Sequence, residues 1–216
     1  CAREWDVINF SHVPSVAAAR YKKAFYRHTP KYAEYVSKLV KGDKSVKINA
    51  SSIFPHDVLK GRISAYTRMS WTKTELDAIE AQWNALPNYI NDGNVLPLVD
   101  VSGSMTCRVG NNPNLSCLDV AVSIGLYCAD KNTGKFKDTF LTFSSDPQLL
   151  HLTGGINNKI DQMVQSHWQM STDLHKAMHK ILTVAQQSGV PQSEMPETLL
   201  ILSDMQFNQC AQYDDT

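Results

Sequence analysis

Two short apolar runs that each stop at an aspartate constrain this chain more than any other feature. The stretch LPLVDVSGSM carries the first run up to Asp100, and TLLILSD carries the second, over 198–202, up to Asp204. Runs of this length, bounded by turn residues and separated by stretches with helical periodicity, read as buried strands of a mainly parallel sheet. In such a sheet the C-terminal strand ends converge on one edge, and ligands bind there. Both aspartates are therefore expected on the same edge.

The first strand end has a specific chemistry. Asp100, Ser102 and Ser104 occur at alternate positions, with Gly103 in the turn between the serines. All three side chains end in oxygen, a donor set that suits a hard octahedral cation such as Mg²⁺ or Mn²⁺ rather than zinc. The same residues also make ordinary helix caps, so the pattern alone leaves both uses open. Further oxygen donors are expected from two other strand-end loops, Thr172 in the stretch 170–174 and Asp204. Asp173 beside Thr172 is either a carboxylate that orients the loop and its water, or a favourable charge at the N-terminus of the next helix.

Periodicity and punctuation divide the chain in two. Residues 1–93 read as a helical segment, with helices over 14–28, 30–40, 54–67 and 72–86 and a turn-rich connector over 87–93. Thr72 followed by Glu75 has capping-box spacing. Residues 94–216 alternate strand and helix. Strands are expected over 95–99, 139–143, 148–152 and 198–202, and helices over 117–130, 156–165 and 172–187. The weak strand 148–152 follows 139–143 across the short stretch 144–147.

Composition sets further bounds. The 216 residues are 43% hydrophobic, enough to bury a real core, and no apolar run approaches the roughly eighteen residues of a membrane span. Five cysteines (1, 107, 117, 128 and 210) lack CxxC spacing, which argues against a zinc site or a disulfide framework and for reduced thiols in an intracellular compartment. The net charge is zero, but residues 1–60 hold eleven Lys or Arg against five Asp or Glu, while 94–216 hold seven against twelve. The basic part, with Arg20, Lys22, Lys23, Arg27 and Lys31, is able to meet nucleic-acid phosphates or simply to decorate solvated helix faces. Tyr21, Phe25, Tyr26, Tyr32 and Tyr35 lie among these cations at helical spacing, where aromatics more often form core than stack on bases.

The DVSGSM turn, Thr172 and Asp204 together resemble the metal-ion-dependent adhesion site of von Willebrand factor A domains. The stretches WQMSTDL, EMPETLLILSDMQF, VPSVAAARYKKAF and KINASSIFPHDVL are similar to a widespread domain-of-unknown-function branch that joins a helical segment to such a domain. That branch also occurs in large DNA viruses and phages, and is similar to the Ro/TROVE RNA-binding proteins. The resemblance implies an α/β fold: a Rossmann-like, doubly wound sheet at 94–216, truncated after its fourth strand, behind a partial TROVE-like segment at 1–93. It also implies antiparallel pairing of 148–152 with 139–143, which the pattern itself does not give. It implies Mg²⁺ or Mn²⁺ held by Ser102, Ser104 and Thr172, with Asp100 and Asp204 acting through water. A partner protein's carboxylate would complete the coordination, and RNA would meet the basic helices. Gln169, Met170 and Ser171 replace the usual glycines before the threonine, and Met205 replaces the usual glycine after Asp204, so integrin-type ligand rules do not transfer.

The expected function is a Mg²⁺-dependent binding module of a Ro/TROVE-like intracellular complex, cytoplasmic and without membrane contact. The alternatives are a scaffold or virion-associated protein with a fold-stabilising metal, and a metal-dependent phosphoesterase or nuclease. The enzyme reading has least support, because the chain has no phosphate-cradling GxxxxGK[ST] loop and no recognisable Ser/His/Asp or Cys/His motif.

Overall fold

A computed structural model describes residues 4–63, 70–91, 93–143, 146–165 and 173–205. The chain forms two compact units. Residues Cys1–Pro87, with Gly155–Asn158, make the first; Asn88–Gly154 and Lys159–Thr216 make the second.

The first unit is helical. Helices α1 (Ser15–His28) and α2 (Pro30–Val40) are separated by Thr29, whose side chain accepts from the Lys31 amide while Pro30 opens the next helix. Proline fits there because the first turn has no use for its missing N–H. A four-residue helix, α3 (Pro55–Val58), is followed by α4 (Lys73–Asn84). The Thr72–Glu75 capping box is formed: the Glu75 amide donates to Thr72 Oγ1 at 3.3 Å, and the Thr72 amide to Glu75 Oε2 at 2.8 Å. The core gathers Phe10, Phe25, Tyr32, Tyr35, Val36 and Ala78. Gln82 of α4 is buried and donates to the carbonyls of Ser15 and Asn49 at 2.8 and 3.0 Å, so a polar clamp sits where three segments meet.

One expectation is corrected here. The third helix does not run over 54–67. It stops at Val58, and Gly61 follows at φ +78°, a left-handed conformation that breaks helical propagation and that glycine adopts without strain. Residues 64–67 of that expectation lie outside the described residues.

The second unit is α/β. Strands β1 (Val95–Asp100), β2 (Thr139–Phe143), β3 (Leu149–His151) and β4 (Thr198–Leu202) form one sheet in the order β3-β2-β1-β4. β1 is parallel to β2 and to β4, and β3 is antiparallel to β2, as the family resemblance implied. The α-helices here are α5 (Cys117–Lys131), α6 (Ile156–Gln165), whose first three residues belong to the first unit, and α7 (Leu174–Gln187).

Strand alternation places helices on both faces. Leu96, Leu98 and Leu141 pack with Ala177 and Ile181 of α7. Val99 and Phe140 have the opposite parity, so they point to the other face, where α5 lies on them at Gly125. α5 begins in a second capping box, between Ser116 and Asp119, and ends at Asn132. The buried Asn132 side chain donates to the carbonyls of Val95 and Phe136 and accepts from the Val95 amide, which ties the end of α5 to the start of β1. Among the described residues no helix is long and apolar enough to cross a membrane.

Gly125 marks a close helix–sheet approach. A β-carbon there would lie 2.5 Å from Val99 Cγ2 and 2.8 Å from Phe140 Cε2. Both neighbours are fully buried, and valine is stiff about χ1, so neither yields easily. Alanine gains about 1 kcal/mol of helix propensity over glycine, but overpacking typically costs about 1–3 kcal/mol and this overlap is severe. Gly125→Ala is expected to lower the urea midpoint of unfolding; an unchanged or raised midpoint would show that the layers are less close than described.

Candidate functional site

The sheet topology selects one place for a ligand. The chain leaves β1 through α5 to β2 on one side, and β4 returns on the other side of β1. The C-terminal ends of β1 and β4 therefore flank the point where the winding reverses, the position at which open α/β sheets bind ligands. Asp100 is the last residue of β1, and Ser203 and Asp204 directly follow β4.

Asp100 is fully buried. Its Oδ1 accepts from the Ser102 amide at 2.9 Å, and its Oδ2 accepts from the Ser203 hydroxyl at 2.7 Å. Both donors are neutral, and among the described residues no lysine, arginine or histidine forms a salt bridge with Asp100. Ser203 Oγ in turn accepts from the Met205 amide at 3.0 Å, which fixes the loop after β4; Met205 itself sits at φ +67°. Ser203 was not singled out by sequence reasoning. The available signal was its place one residue beyond β4, where a short hydroxyl side chain reaches the end of the neighbouring strand.

Ser102 and Ser104 flank Gly103 at the start of a 3₁₀ turn, Gly103–Thr106. Their hydroxyl oxygens are 2.9 Å apart. Two ligands at right angles on Mg²⁺, each about 2.0–2.1 Å from the ion, stand about 2.9 Å from each other. The spacing is also that of an ordinary O–H···O hydrogen bond, so it fits both an ion-bound and an ion-free turn. Carboxylate oxygens have about four lone-pair sites in all, so Asp100 keeps acceptor capacity beyond its two hydrogen bonds. The donor set of one buried carboxylate and two adjacent hydroxyls thus fits a hard cation.

The other expected ligands are placed as follows. Asp204 is half-buried beside the end of β4, and its charge acts on Cys117. Thr172 lies outside the described residues. Asp173 caps α7: its side chain accepts from the Lys176 amide at 2.9 Å, and Lys176 Nζ stands 3.5 Å from its carboxylate. Among the described residues no group of three or more His, Cys, Asp and Glu is arranged to hold a metal.

Two cysteines also converge on this edge. Cys107 closes the 3₁₀ turn, its amide donating to the Ser104 carbonyl at 3.1 Å, and Cys117 opens α5. Their sulfurs are 3.3 Å apart. The hydrogen bond from Cys107, then burial, then the nearby Cys107 and Asp204 charges push the Cys117 thiol above its usual pKa. A cavity of about 510 Å³ lies beside the start of β2, lined in part by Phe136, Thr139, His151 and Val190, at the opposite end of the sheet from Asp100.

Residues 94–216 match the model of a domain of unknown function, DUF7788. The chain belongs to this family. The matched stretch contains the whole candidate site of the DUF7788 domain, from Asp100 to Asp204. Residues 1–96 match a second domain of unknown function, DUF2828. An uncharacterized protein of Acanthamoeba polyphaga mimivirus is 31% identical over 227 residues, covering 96% of this chain and 36% of that relative. The chain therefore spans about a third of that relative's length. No solved structure matches.

The helical unit preceding the DUF7788 domain carries the basic residues. Arg20, Arg27 and Lys31 are exposed, and Lys23 is half-buried with its ammonium 3.9 Å from the centre of the Trp71 ring. Lys22 departs from the expectation of a phosphate contact. It is buried, and its Nζ donates to the Ala19 and Val58 carbonyls at 3.1 and 3.5 Å. Phe25, Tyr32 and Tyr35 are core residues, whereas Tyr21 and Tyr26 are exposed.

Burial, helped by the Lys23 charge and opposed by Glu75, pushes the Lys22 ammonium down to about 8. The unfolded chain holds this proton more tightly, near the ordinary lysine value of about 10.4. Between those values the unfolded state binds more protons, so the Lys22 contribution makes stability rise with pH across that window, and its cost is fully present below it. Wild type is expected to gain roughly 1–3 kcal/mol more than Lys22→Met between pH 7 and 10. Urea unfolding at a series of pH values measures this, and identical slopes for the two proteins would refute the assignment.

Proposed function

We propose that this protein is a Mg²⁺- or Mn²⁺-dependent binding module, with its ion held at the junction of the β1 and β4 ends. Ser102 and Ser104 would bind the ion. Asp100 would supply charge through an intervening water, with Asp204 and Thr172 completing the protein's share. One coordination position would be left for a carboxylate of a partner protein, in the manner of the von Willebrand A domains that the sequence resembles. An intracellular ribonucleoprotein-like setting, with RNA meeting Arg20, Lys23, Arg27 and Lys31, belongs to the same reading.

The observation that carries this reading is the Asp100 carboxylate. A fully buried carboxylate whose donors among the described residues are all neutral is an electrostatic demand for a cation. The adjacent hydroxyl pair and the position at the winding reversal supply a place for one. Binding is favoured over hydrolysis because the sequence carries no GxxxxGK[ST] phosphate cradle and no recognisable Ser/His/Asp or Cys/His motif.

Mn²⁺ titration followed by electron paramagnetic resonance and water-proton relaxation tests the proposal. Wild type is expected to bind one Mn²⁺ that Mg²⁺ displaces. Asp100→Asn and Ser104→Ala are each expected to weaken it by on the order of tenfold or more, as losing about 1.4 kcal/mol implies. Enhanced water-proton relaxation would show an exchangeable water on the bound ion, as a partner-binding site requires. A tightly bound Mn²⁺ without such water would support a fold-stabilising metal instead, and equal affinity in all three proteins would remove the site.

A further inference from the structure

The sequence places Cys107 and Cys117 on either side of a polar loop, RVGNNPNLS, with no spacing that announces a pair. The backbone brings them face to face. The Cys117 amide donates to the Cys107 carbonyl at 2.9 Å, the Val109 amide donates to the Leu115 carbonyl at 2.9 Å, and Arg108 pairs antiparallel with Ser116. These contacts make the loop a short hairpin in which Cys107 stands directly opposite Cys117. The Cys117-to-Cys107 bond is one of the two that a hydrogen-bonded pair exchanges, and such a pair has Cα atoms about 5.5 Å apart, inside the range of roughly 4.4–6.8 Å that disulfides span. The sulfurs already lie 3.3 Å apart, and the Cys107 side is exposed to solvent. Cys128, by contrast, is buried.

We propose that Cys107 and Cys117 form a reversible dithiol–disulfide pair, oxidised by a small-molecule disulfide of the glutathione type. The exposed Cys107, as thiolate, attacks one sulfur of the oxidant; a new S–S bond forms, the oxidant's own S–S bond breaks, and one reduced thiol leaves. Cys117, as thiolate, then attacks the Cys107 sulfur of the mixed disulfide and expels the second reduced thiol. Two protons are released from the protein thiols and taken up by the two leaving thiolates, and two electrons pass to the oxidant. The bond would staple the hairpin at its base. Because the Cys107 amide holds the Ser104 carbonyl and Cys117 is the first residue of α5, oxidation would lock the turn that presents Ser104. The pairing itself rests on the hairpin geometry and not on any bound metal.

The test uses the full chain equilibrated in glutathione buffers of graded oxidised-to-reduced ratio, acid-quenched, alkylated and mapped by peptide mass spectrometry. A Cys107–Cys117 cross-linked peptide is expected, with the loss of two hydrogens and full reversal by dithiothreitol. At a given buffer ratio, the disulfide-to-dithiol ratio should be on the order of tenfold higher in folded protein than in urea, because the hairpin raises the effective concentration of one thiol at the other. Cys107→Ser and Cys117→Ser, checked for native circular dichroism, should each yield only the glutathione adduct of the remaining cysteine. Adducts without the cross-link in folded wild type, or a cross-link that forms no more readily folded than unfolded, would overturn the proposal.

Discussion

Strand β1 is paired on both sides, and the candidate site inherits its geometry from that. Hydrogen bonding to β2 and β4 buries the strand completely from Leu96 to Asp100, so a charged side chain is carried to the end of a strand with no solvent on either flank. Apolar residues on both faces stabilise this arrangement, and Asp100 works against it. Its charge is answered by the dipoles of Ser102 and Ser203, one from its own turn and one from the neighbouring strand end. Everything proposed for function follows from placing one carboxylate, with no salt-bridge partner among the described residues, where two parallel strands end together.

The strands and most helix limits could be read from the sequence because they depend on local patterning. The second unit's helices have boundaries within a few residues of those expected, and the Thr72–Glu75 capping box is present as its spacing indicated. α3 was misjudged because apolar periodicity continued past Gly61, while the backbone there turned left-handed. Periodicity records which residues could be buried, not where the chain reverses.

The site was legible only in part. Asp100, Ser102 and Ser104 share one turn, and alternation alone was enough to find them. Ser203 donates to Asp100 from far along the chain, and the Cys107–Cys117 approach depends on a hairpin whose NNPN tip does not announce its register. Lys22 shows the converse. Its neighbours in sequence are cations and aromatics, a composition that suggests a binding face, yet its place on α1 turns it toward Val58. In each case the missing information was the partner across space.

The hydrogen bond between Ser203 and Asp100 joins residues 103 apart in sequence. Closing a contact of such separation has to overcome the loop-closure entropy of the intervening chain. A chain still being synthesised, with β1, α5 and β2 in place but β4 not yet docked, would carry Asp100 without its second donor. The paired strand ends therefore come into existence only when β4 docks against β1, and a ligand that needed both ends would distinguish a docked β4 from an undocked one.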